Sequence, residues 1–224
     1  MTTTSDLQDL RAAVAAASRG LAAAGLVTGT AGNVSARHGD LVALTATGSE
    51  LATATQDEVT VVDLDGRVLL GDLQPTSERD LHLGVHRHAP PGLVGAVVHT
   101  HSRMATAIGL VADEVPVLHY QQLVLGGALR VAPFHPFGSA DLARAVGAAL
   151  DGRMAALMAN HGAVALGADL ATAVRNAELT EWLCELDWHA RAVGRPRALT
   201  GEQQRAVVAT ARASGYGRTR QADR

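Results

Sequence analysis

The chain has 224 residues, of which 47% are hydrophobic and 18% are charged, and its formal net charge is −3 at pH 7. This length suits one large domain or two small ones, and the apolar content is ample for a core. Because no basic block stands out and only two residues each of Phe, Trp and Tyr are present, we expect no nucleic-acid binding.

The first part of the chain predicts a helix followed by short strands. Ser5-Asp6-Leu7-Gln8 forms a capping box that opens the helix, and Gly25 ends it. Residues 29–35 form a glycine-rich turn between this helix and the first strands. Short apolar runs bounded by turn residues predict three strands, at 41–45, 59–62 and 67–70.

A second helix follows the segment Pro75-Thr76-Ser77-Glu78. Ser77 suits its N-cap, and Glu78 falls in its first turn. A carboxylate there pairs favourably with the helix dipole, which is the plain structural explanation of Glu78. An apolar run at 93–98 then predicts a strand that leads into His99-Thr100-His101.

The second part of the chain predicts three longer helices and a bent pair of strands. The pair covers residues 155–166, and Asn160-His161-Gly162 lies at its bend. Ser139 caps the first of the helices, and Asp169 opens the second. The predicted helices cover 139–152, 169–193 and 202–213.

These elements predict an α/β fold with a mainly antiparallel sheet and helices on its faces. The hairpin and the irregular order of elements argue against a doubly wound parallel sheet. We expect one domain over residues 1–217 and a flexible tail over residues 218–224, which are rich in arginine and polar residues.

Two further features indicate a cytoplasmic protein that does not enter membranes. Cys184 is the single cysteine, so an intrachain disulfide is impossible, and its helical setting favours a small core residue over a nucleophile. The apolar runs are too short to span a bilayer, and the first residues lack the basic start of a signal peptide.

The chain has no lysine, because all 19 of its basic residues are arginine. Arginine cannot supply a neutral amine nucleophile, so reactions through a lysine Schiff base are excluded. Pyridoxal-phosphate enzymes, Schiff-base aldolases and P-loop enzymes are therefore excluded as well. If the chain carries out carbonyl chemistry, a metal ion is the most available electron sink.

Three histidines suit a metal site. His99 and His101 follow a strand and are two residues apart, so their side chains lie on the same face. Two such imidazoles make two-thirds of an open divalent-metal site, and His161 would complete it. The alternative from the residues alone is an ordinary, partly buried histidine pair.

A second metal site is possible on the helix that follows residue 77. Glu78, His82 and His86 are spaced at i, i+4 and i+8, on one face of that helix. They could hold a metal of their own, or His82 and His86 could pack beneath the helix or face solvent. Near either metal, Glu78 could act as a general acid or base.

Three polar turns could together bind a phosphate dianion without lysine or arginine. Each offers hydroxyls or free backbone N–H groups, which bind anions in nests and at helix N-termini. The alternative for each alone is an ordinary turn or cap. The turns are Thr30-Ala31-Gly32-Asn33, Thr45-Ala46-Thr47-Gly48 and Thr76-Ser77.

Taken in order, seven segments resemble the class II aldolase/adducin-head family. They lie within residues 5–217, so the resemblance covers nearly the whole chain. The segments are Gly29-Thr30-Ala31-Gly32-Asn33-Val34-Ser35, Thr47-Gly48, Pro75-Thr76-Ser77-Glu78, Val97-Val98-His99-Thr100-His101, His119-Tyr120, Phe137-Gly138 and Asn160-His161-Gly162.

The resemblance implies a three-layer α/β/α domain, a homotetramer with active sites between subunits, and one Zn²⁺ per subunit. In the family, residues matching His99, His101 and His161 hold zinc, and the residue matching Glu78 is a further ligand and the proton-transfer group. The family's tyrosine at the position of Tyr120 reaches a neighbouring site. Substrate, chiefly its phosphate, is held at positions matching Thr30, Gly32, Asn33, Thr47, Gly48, Thr76, Ser77 and Tyr216.

The activity that the resemblance implies is reversible cleavage of a ketose 1-phosphate, of the L-fuculose 1-phosphate type, to dihydroxyacetone phosphate and an aldehyde. Tyr120 is a candidate for handling the C4 hydroxyl proton. Epimerases, dehydratases and decarboxylases of the family remain alternatives, although glutamate at position 78 favours an aldolase over a 4-epimerase. Non-catalytic adducin heads also share the fold, but a scaffold has no need of three histidines beside Glu78.

Overall fold

The computed structural model describes residues 3–90 and 92–216, which contain six α-helices and nine strands. The helices are α1 (Thr4–Ala23), α2 (Arg79–His88), α3 (Arg103–Gly109), α4 (Ala140–Ala149), α5 (Leu170–Val193) and α6 (Gly201–Ser214). The strands are β1 (Gly32–His38), β2 (Leu41–Thr45), β3 (Val59–Asp63), β4 (Val68–Leu70), β5 (Ala96–Thr100), β6 (Glu114–Val115), β7 (Leu129–Ala132), β8 (Ala155–Met158) and β9 (Gly162–Gly167). The tail predicted at 218–224 lies outside the described residues.

The nine strands form one sheet in the order β4-β3-β2-β1-β5-β9-β8-β7-β6. Every neighbouring pair is antiparallel except β7 and β8, which are parallel. The predicted α/β fold with a mainly antiparallel sheet is therefore confirmed. The centre of the sheet is β5, which pairs with β1 on one side and with β9 on the other.

Helices cover both faces of this sheet and make the three layers that the resemblance implies. Helices α1, α3 and α5 pack on one face, where Val98 of β5 joins their apolar cluster. Helices α2 and α4 pack on the other face, together with Val97. Because side chains alternate along a strand, His99 lies on the same face as Val97, under α2.

Most helix and strand predictions agree with the structure, but two cap assignments were wrong. The box that opens α1 joins Thr3 and Asp6, because Ser5 and Gln8 already lie within the helix. The N-cap of α2 is Glu78 rather than Ser77, and the Glu78 side chain makes no capping bond. The carboxylate is therefore free for another use.

None of the described helices combines the length and the apolar character that crossing a membrane would require.

The turn between β8 and β9 shows why Asn160-His161-Gly162 has this composition. Asn160 has a φ of 58°, in the left-handed region that asparagine tolerates better than most residues. Gly162 packs against β5 so closely that a Cβ there would lie 2.2 Å from the Thr100 carbonyl oxygen. The two flanking residues thus fix His161 beside the end of β5.

We expect Gly162→Ala to lower the free energy of unfolding by about 1–3 kcal/mol, because the added Cβ must push β9 away from β5. Chemical denaturation of the purified variant measures this. Gly147→Ala in α4 is the matched control: a Cβ there meets nothing within 4 Å, and we expect stability to be unchanged or slightly raised. Equal stability of the two variants would contradict the close approach.

Candidate active site

A cleft of about 520 Å³ lies where β1, β5 and β9 meet the start of α2. The predicted phosphate site included seven residues from the three polar turns, and all seven line this cleft. These are Thr30, Gly32, Asn33, Thr47, Gly48, Thr76 and Ser77. Glu78, His101 and His161 line the same cleft, so the predicted phosphate and metal residues share one space.

The three predicted zinc ligands form a compact triangle at the floor of this cleft. The ring centroids of His99, His101 and His161 are 4.8–4.9 Å apart. Strand alternation turns His99 and His101 the same way, and their Nε2 atoms are 2.9 Å apart. His161 enters from the turn before β9, which pairs with β5.

Glu78 closes the triangle from the start of α2. Its Oε2 atom lies 3.0 Å from His99 Nε2, and its Oε1 atom lies 3.3 Å from His161 Nε2. Oε1 is buried and has no hydrogen-bond partner. One ligand atom from each of the four side chains lies within 4.8 Å of the other three.

The donor atoms fit a divalent cation. His99 Nδ1 is 2.9 Å from the Ala163 carbonyl oxygen, which can only accept, so Nδ1 carries a hydrogen. In the neutral ring Nε2 then presents a lone pair to His101 and Glu78, as metal-binding histidines do. If no ring carries a second proton, the lone pairs of the imidazole nitrogens and of the Glu78 carboxylate face one another. One cation bound among them would then satisfy all four side chains. Nitrogen and carboxylate donors with an open side suit Zn²⁺.

The protonation states agree with this fit. Burial, together with the neighbouring His99 and His161, lowers the pKa of His101 to about 4. Burial likewise lowers the pKa of His161. Burial alone would raise the pKa of Glu78, but the hydrogen bond and charge of His99, with help from Asn33, lower it below its usual range. The unprotonated imidazoles of His101 and His161 and a charged carboxylate therefore face the centre of the cluster at neutral pH.

The alternative metal site on α2 does not form in the described part of the chain, where the one cluster with metal-binding geometry is that of Glu78, His99, His101 and His161. His82 and His86 are fully buried beneath α2. Their ring nitrogens contact Ser35 and Asn33 on β1 rather than one another.

The polar turns meet because the backbone joins two of them directly. Thr76 N donates to Thr45 O at 2.9 Å, and Ala46 bridges to Pro75, which places the second and third turns side by side. Gly48 has a φ of 75°, which leaves that turn tightly curved. The described lining of the cleft contains no arginine, so an anion there would meet hydroxyls and backbone N–H groups.

Tyr120 and Tyr216 do not line the cleft of their own chain. Their hydroxyls are 3.0 Å apart, and the two side chains are 41% and 59% exposed. His119 packs against the ring of Tyr120 and makes an edge-to-face contact with Trp182. Within one chain, the structure thus separates these two predicted site residues from the others.

Two features of the site escaped sequence reasoning. Phe134, His135, Pro136 and Phe137 line the cleft from the segment between β7 and α4. The only signal for them was the match of Phe137-Gly138 to the family, to which we attached no role. Glu181 of α5 accepts hydrogen bonds from the N–H groups of Met104 and Ala105, each 2.8 Å long, and so anchors α3 just after His101.

Comparison with known proteins agrees with the fold. Residues 12–188 match the class II aldolase and adducin N-terminal domain. The 5-methylthioribulose-1-phosphate/5-deoxyribulose-1-phosphate aldolase of Rhodospirillum rubrum is 34% identical over 200 residues, covering 89% of each chain. The 5-deoxy-D-ribulose 1-phosphate aldolase of Bacillus thuringiensis serovar kurstaki is 32% identical over 213 residues, covering 94% of this chain and 98% of the relative. A solved L-fuculose 1-phosphate aldolase superposes with a TM-score of 0.87 at 27% identity, covering 95% of this chain and 98% of the other.

The fold and the histidine cluster define a metal-dependent lyase, an enzyme rather than a scaffold. The chain belongs to the class II aldolase and adducin family. The family prediction made from the seven segments is therefore confirmed, as is the prediction of a class II aldolase.

We expect His101→Ala to abolish metal binding, because it removes one of three imidazoles from the cluster. Elemental analysis of the purified protein measures this. His88→Ala is the control, since His88 lies exposed at the end of α2. Full metal content in His101→Ala, with loss in His82→Ala, would show that the metal lies beneath α2 instead.

Proposed function

We propose that this protein catalyses the reversible aldol cleavage of a ketose 1-phosphate to dihydroxyacetone phosphate and an aldehyde. One observation carries the proposal: the phosphate-suited turns and the cluster of Glu78 with three histidines share one cleft. A phosphate held at those turns would place the adjoining carbonyl and hydroxyl carbons beside the cluster. The lack of lysine leaves a metal route as the chemistry that fits.

The proposed cofactor is one Zn²⁺ per subunit, held by His99, His101 and His161 with Glu78 as a further ligand. When bound, such a cation supplies a Lewis acid that draws electrons from the substrate oxygens. The Ala163 carbonyl keeps the His99 ring in the tautomer that binds.

The phosphate would be held by neutral groups. The candidates are the hydroxyls of Thr30, Thr47, Thr76 and Ser77, the side chain of Asn33, and the backbone at Gly32 and Gly48. The Asn33 amide also donates to Glu78 Oε2 at 2.9 Å, so this residue would link the phosphate end of the cleft to the proton-transfer group.

Glu78 is the proposed proton-transfer group. Its unpartnered Oε1 atom faces the cluster, where the carboxylate could take a proton from solvent and give that proton to C3 once the C3–C4 bond has broken. The hydrogen on the C4 hydroxyl must leave in the same reaction, which turns C4 into the aldehyde carbon. We propose that the hydroxyl of Tyr120 from a neighbouring subunit relays it, accepting this proton while its own hydrogen passes to solvent, since Tyr120 is exposed and outside the cleft of its own chain.

This role for Tyr120 supports a homotetramer with active sites between subunits. All six Phe, Trp and Tyr side chains of the chain are exposed on the described surface. Tyr216 shares a hydrogen bond with Tyr120 and would reach substrate by the same route.

We place the assembly in the cytoplasm, with one domain spanning residues 1–217 of each chain.

We propose a ketose that ends in a small apolar group, such as a 5-deoxy-ketopentose 1-phosphate. Phe134 and Phe137 give the cleft an apolar wall, and both are largely exposed. The names of the relatives from Rhodospirillum rubrum and Bacillus thuringiensis point to the same substrates. L-fuculose 1-phosphate is the second candidate, favoured by the structural match.

A panel of ketose 1-phosphates and their unphosphorylated sugars, assayed for release of dihydroxyacetone phosphate, tests the function. We expect Thr47→Val to raise KM for the phosphorylated ketose about 10–100-fold, the effect of losing a hydrogen bond to a charged group. Thr53→Val is the control, because Thr53 is exposed and does not line the cleft. Equal turnover of phosphorylated and unphosphorylated sugars would contradict the phosphate site.

We expect Glu78→Gln to lower kcat by about 10²–10⁴-fold, since a positioned general acid or base contributes that much. Metal content must be measured in the same sample, because Glu78 also adjoins the cluster. Glu185→Gln, at a half-exposed carboxylate on α5, should leave kcat unchanged. A metallated Glu78→Gln enzyme that still exchanges the C3 hydrogen of dihydroxyacetone phosphate at the normal rate would assign the proton to another residue.

A further inference from the structure

A buried chain of polar side chains runs from Glu78 away from the cleft, between β1 and α2. Asn33 Nδ2 lies 2.9 Å from Glu78 Oε2, and Asn33 Oδ1 contacts His82 Nε2. His82 Nδ1 lies 2.7 Å from Ser35 Oγ, which lies 2.9 Å from His86 Nε2. Ser35, His82 and His86 have no solvent exposure. None of these three lines the cleft or supplies a ligand atom to the metal cluster.

The side chains of β1 and α2 alternate in this series because residues on the two elements are spaced by similar distances. Asn33 and Ser35 are two residues apart on β1, which separates them by about 6.6–6.8 Å. His82 and His86 are four residues apart on α2, one turn or about 6 Å along the helix. The side chains therefore alternate, strand then helix, from Glu78 to His86.

The charge on Glu78 fixes the direction of the two hydrogen bonds that lead from Glu78 to His82. A carboxylate only accepts, so the amide N–H of Asn33 must face Glu78 and its oxygen must face His82. His82 Nε2 must then carry a hydrogen, which it donates to Asn33.

His82 and His86 are neutral, and this fixes the direction of the remaining hydrogen bonds, from His82 through Ser35 to His86. Burial, with the neighbouring His86 and His99, lowers the pKa of His82 to about 3, and burial with Arg37 lowers that of His86 to about 4. Neutral His82 then accepts from the Ser35 hydroxyl at Nδ1, and Ser35 accepts from His86 Nε2. His86 Nδ1 is then an acceptor without a donor. Among the side-chain nitrogens of this hydrogen-bonded series, it is the one that lacks a partner.

We propose that His82, Ser35 and His86 are positioning residues: their one-way chain of hydrogen bonds locks the Asn33 amide, and through it the Glu78 carboxylate, in the orientation that faces the cleft. The proposal rests on the proposed role of Glu78. A flipped Asn33 amide would set its oxygen against the carboxylate and its N–H group against the His82 N–H. Bonds that all point one way also polarise one another toward the carboxylate.

The hydrogen positions can be measured without any activity assay. Nitrogen-15 NMR of the protein labelled at histidine distinguishes the two tautomers, and His82→Gln and His86→Gln assign the signals. We expect both rings to carry hydrogen at Nε2 and none at Nδ1. Hydrogen at Nδ1 of His82 would reverse the chain and overturn the proposal, even if the enzyme cleaves ketose phosphates.

Kinetics of two substitutions at one position separate positioning from packing. Glutamine can present a donor where His82 Nε2 lies, whereas leucine cannot. We therefore expect His82→Leu to lower kcat about tenfold or more at full metal content, with KM within about threefold, and His82→Gln to recover most of the loss. Equal loss in the two variants would overturn the proposal.

Ser35→Ala breaks the chain with a smaller change in volume and serves if His82→Leu does not fold. Its matched control is Ser18→Ala, since Ser18 is equally buried but bonds to Val14 within α1. We expect both variants to lower the midpoint of thermal unfolding and only Ser35→Ala to lower kcat. An unchanged kcat in folded, metallated Ser35→Ala would overturn the proposal. If the wild-type protein cleaves no ketose phosphate, the proposed function fails while the tautomers still decide the direction of the chain.

Discussion

The burial of one carboxylate organises the functional half of this molecule. Glu78 is 5% exposed, and a buried charge is costly unless partners surround it. Histidines meet it on the cleft side, and Asn33 donates to it from β1. Glu78 holds the N-cap position of α2 without capping the helix, so its charge serves the cleft rather than the helix dipole.

The sheet supplies the geometry that makes this possible. Antiparallel pairing sets Asn33 of β1 directly opposite His99 of β5, and β9 on the other side of β5 follows the turn that carries His161. Residues more than a hundred positions apart thus meet at one strand end. The same pairing requires Gly162, because no side chain fits between that turn and Thr100.

Local rules predicted much of this from the sequence, since strand alternation, turn chemistry and helix caps act over a few residues. They gave the shared face of His99 and His101, the composition of the polar turns and the caps at Ser139 and Asp169. They could not give the chain from Asn33 to His86, because its order depends on how α2 packs across β1. The sequence showed the spacing of Glu78, His82 and His86 but not that strand residues separate them. The same limit applies to the cleft wall at Phe134 and Phe137, which depends on the path of an irregular segment.

We propose that one divalent metal binds among His99, His101, His161 and Glu78. Anomalous X-ray diffraction from zinc-loaded crystals, recorded on both sides of the zinc absorption edge, tests it most directly. We expect one strong anomalous peak per subunit within about 2.0–2.2 Å of three imidazole nitrogens and a Glu78 oxygen. A peak between His82 and His86, or none near the three histidines, would contradict it.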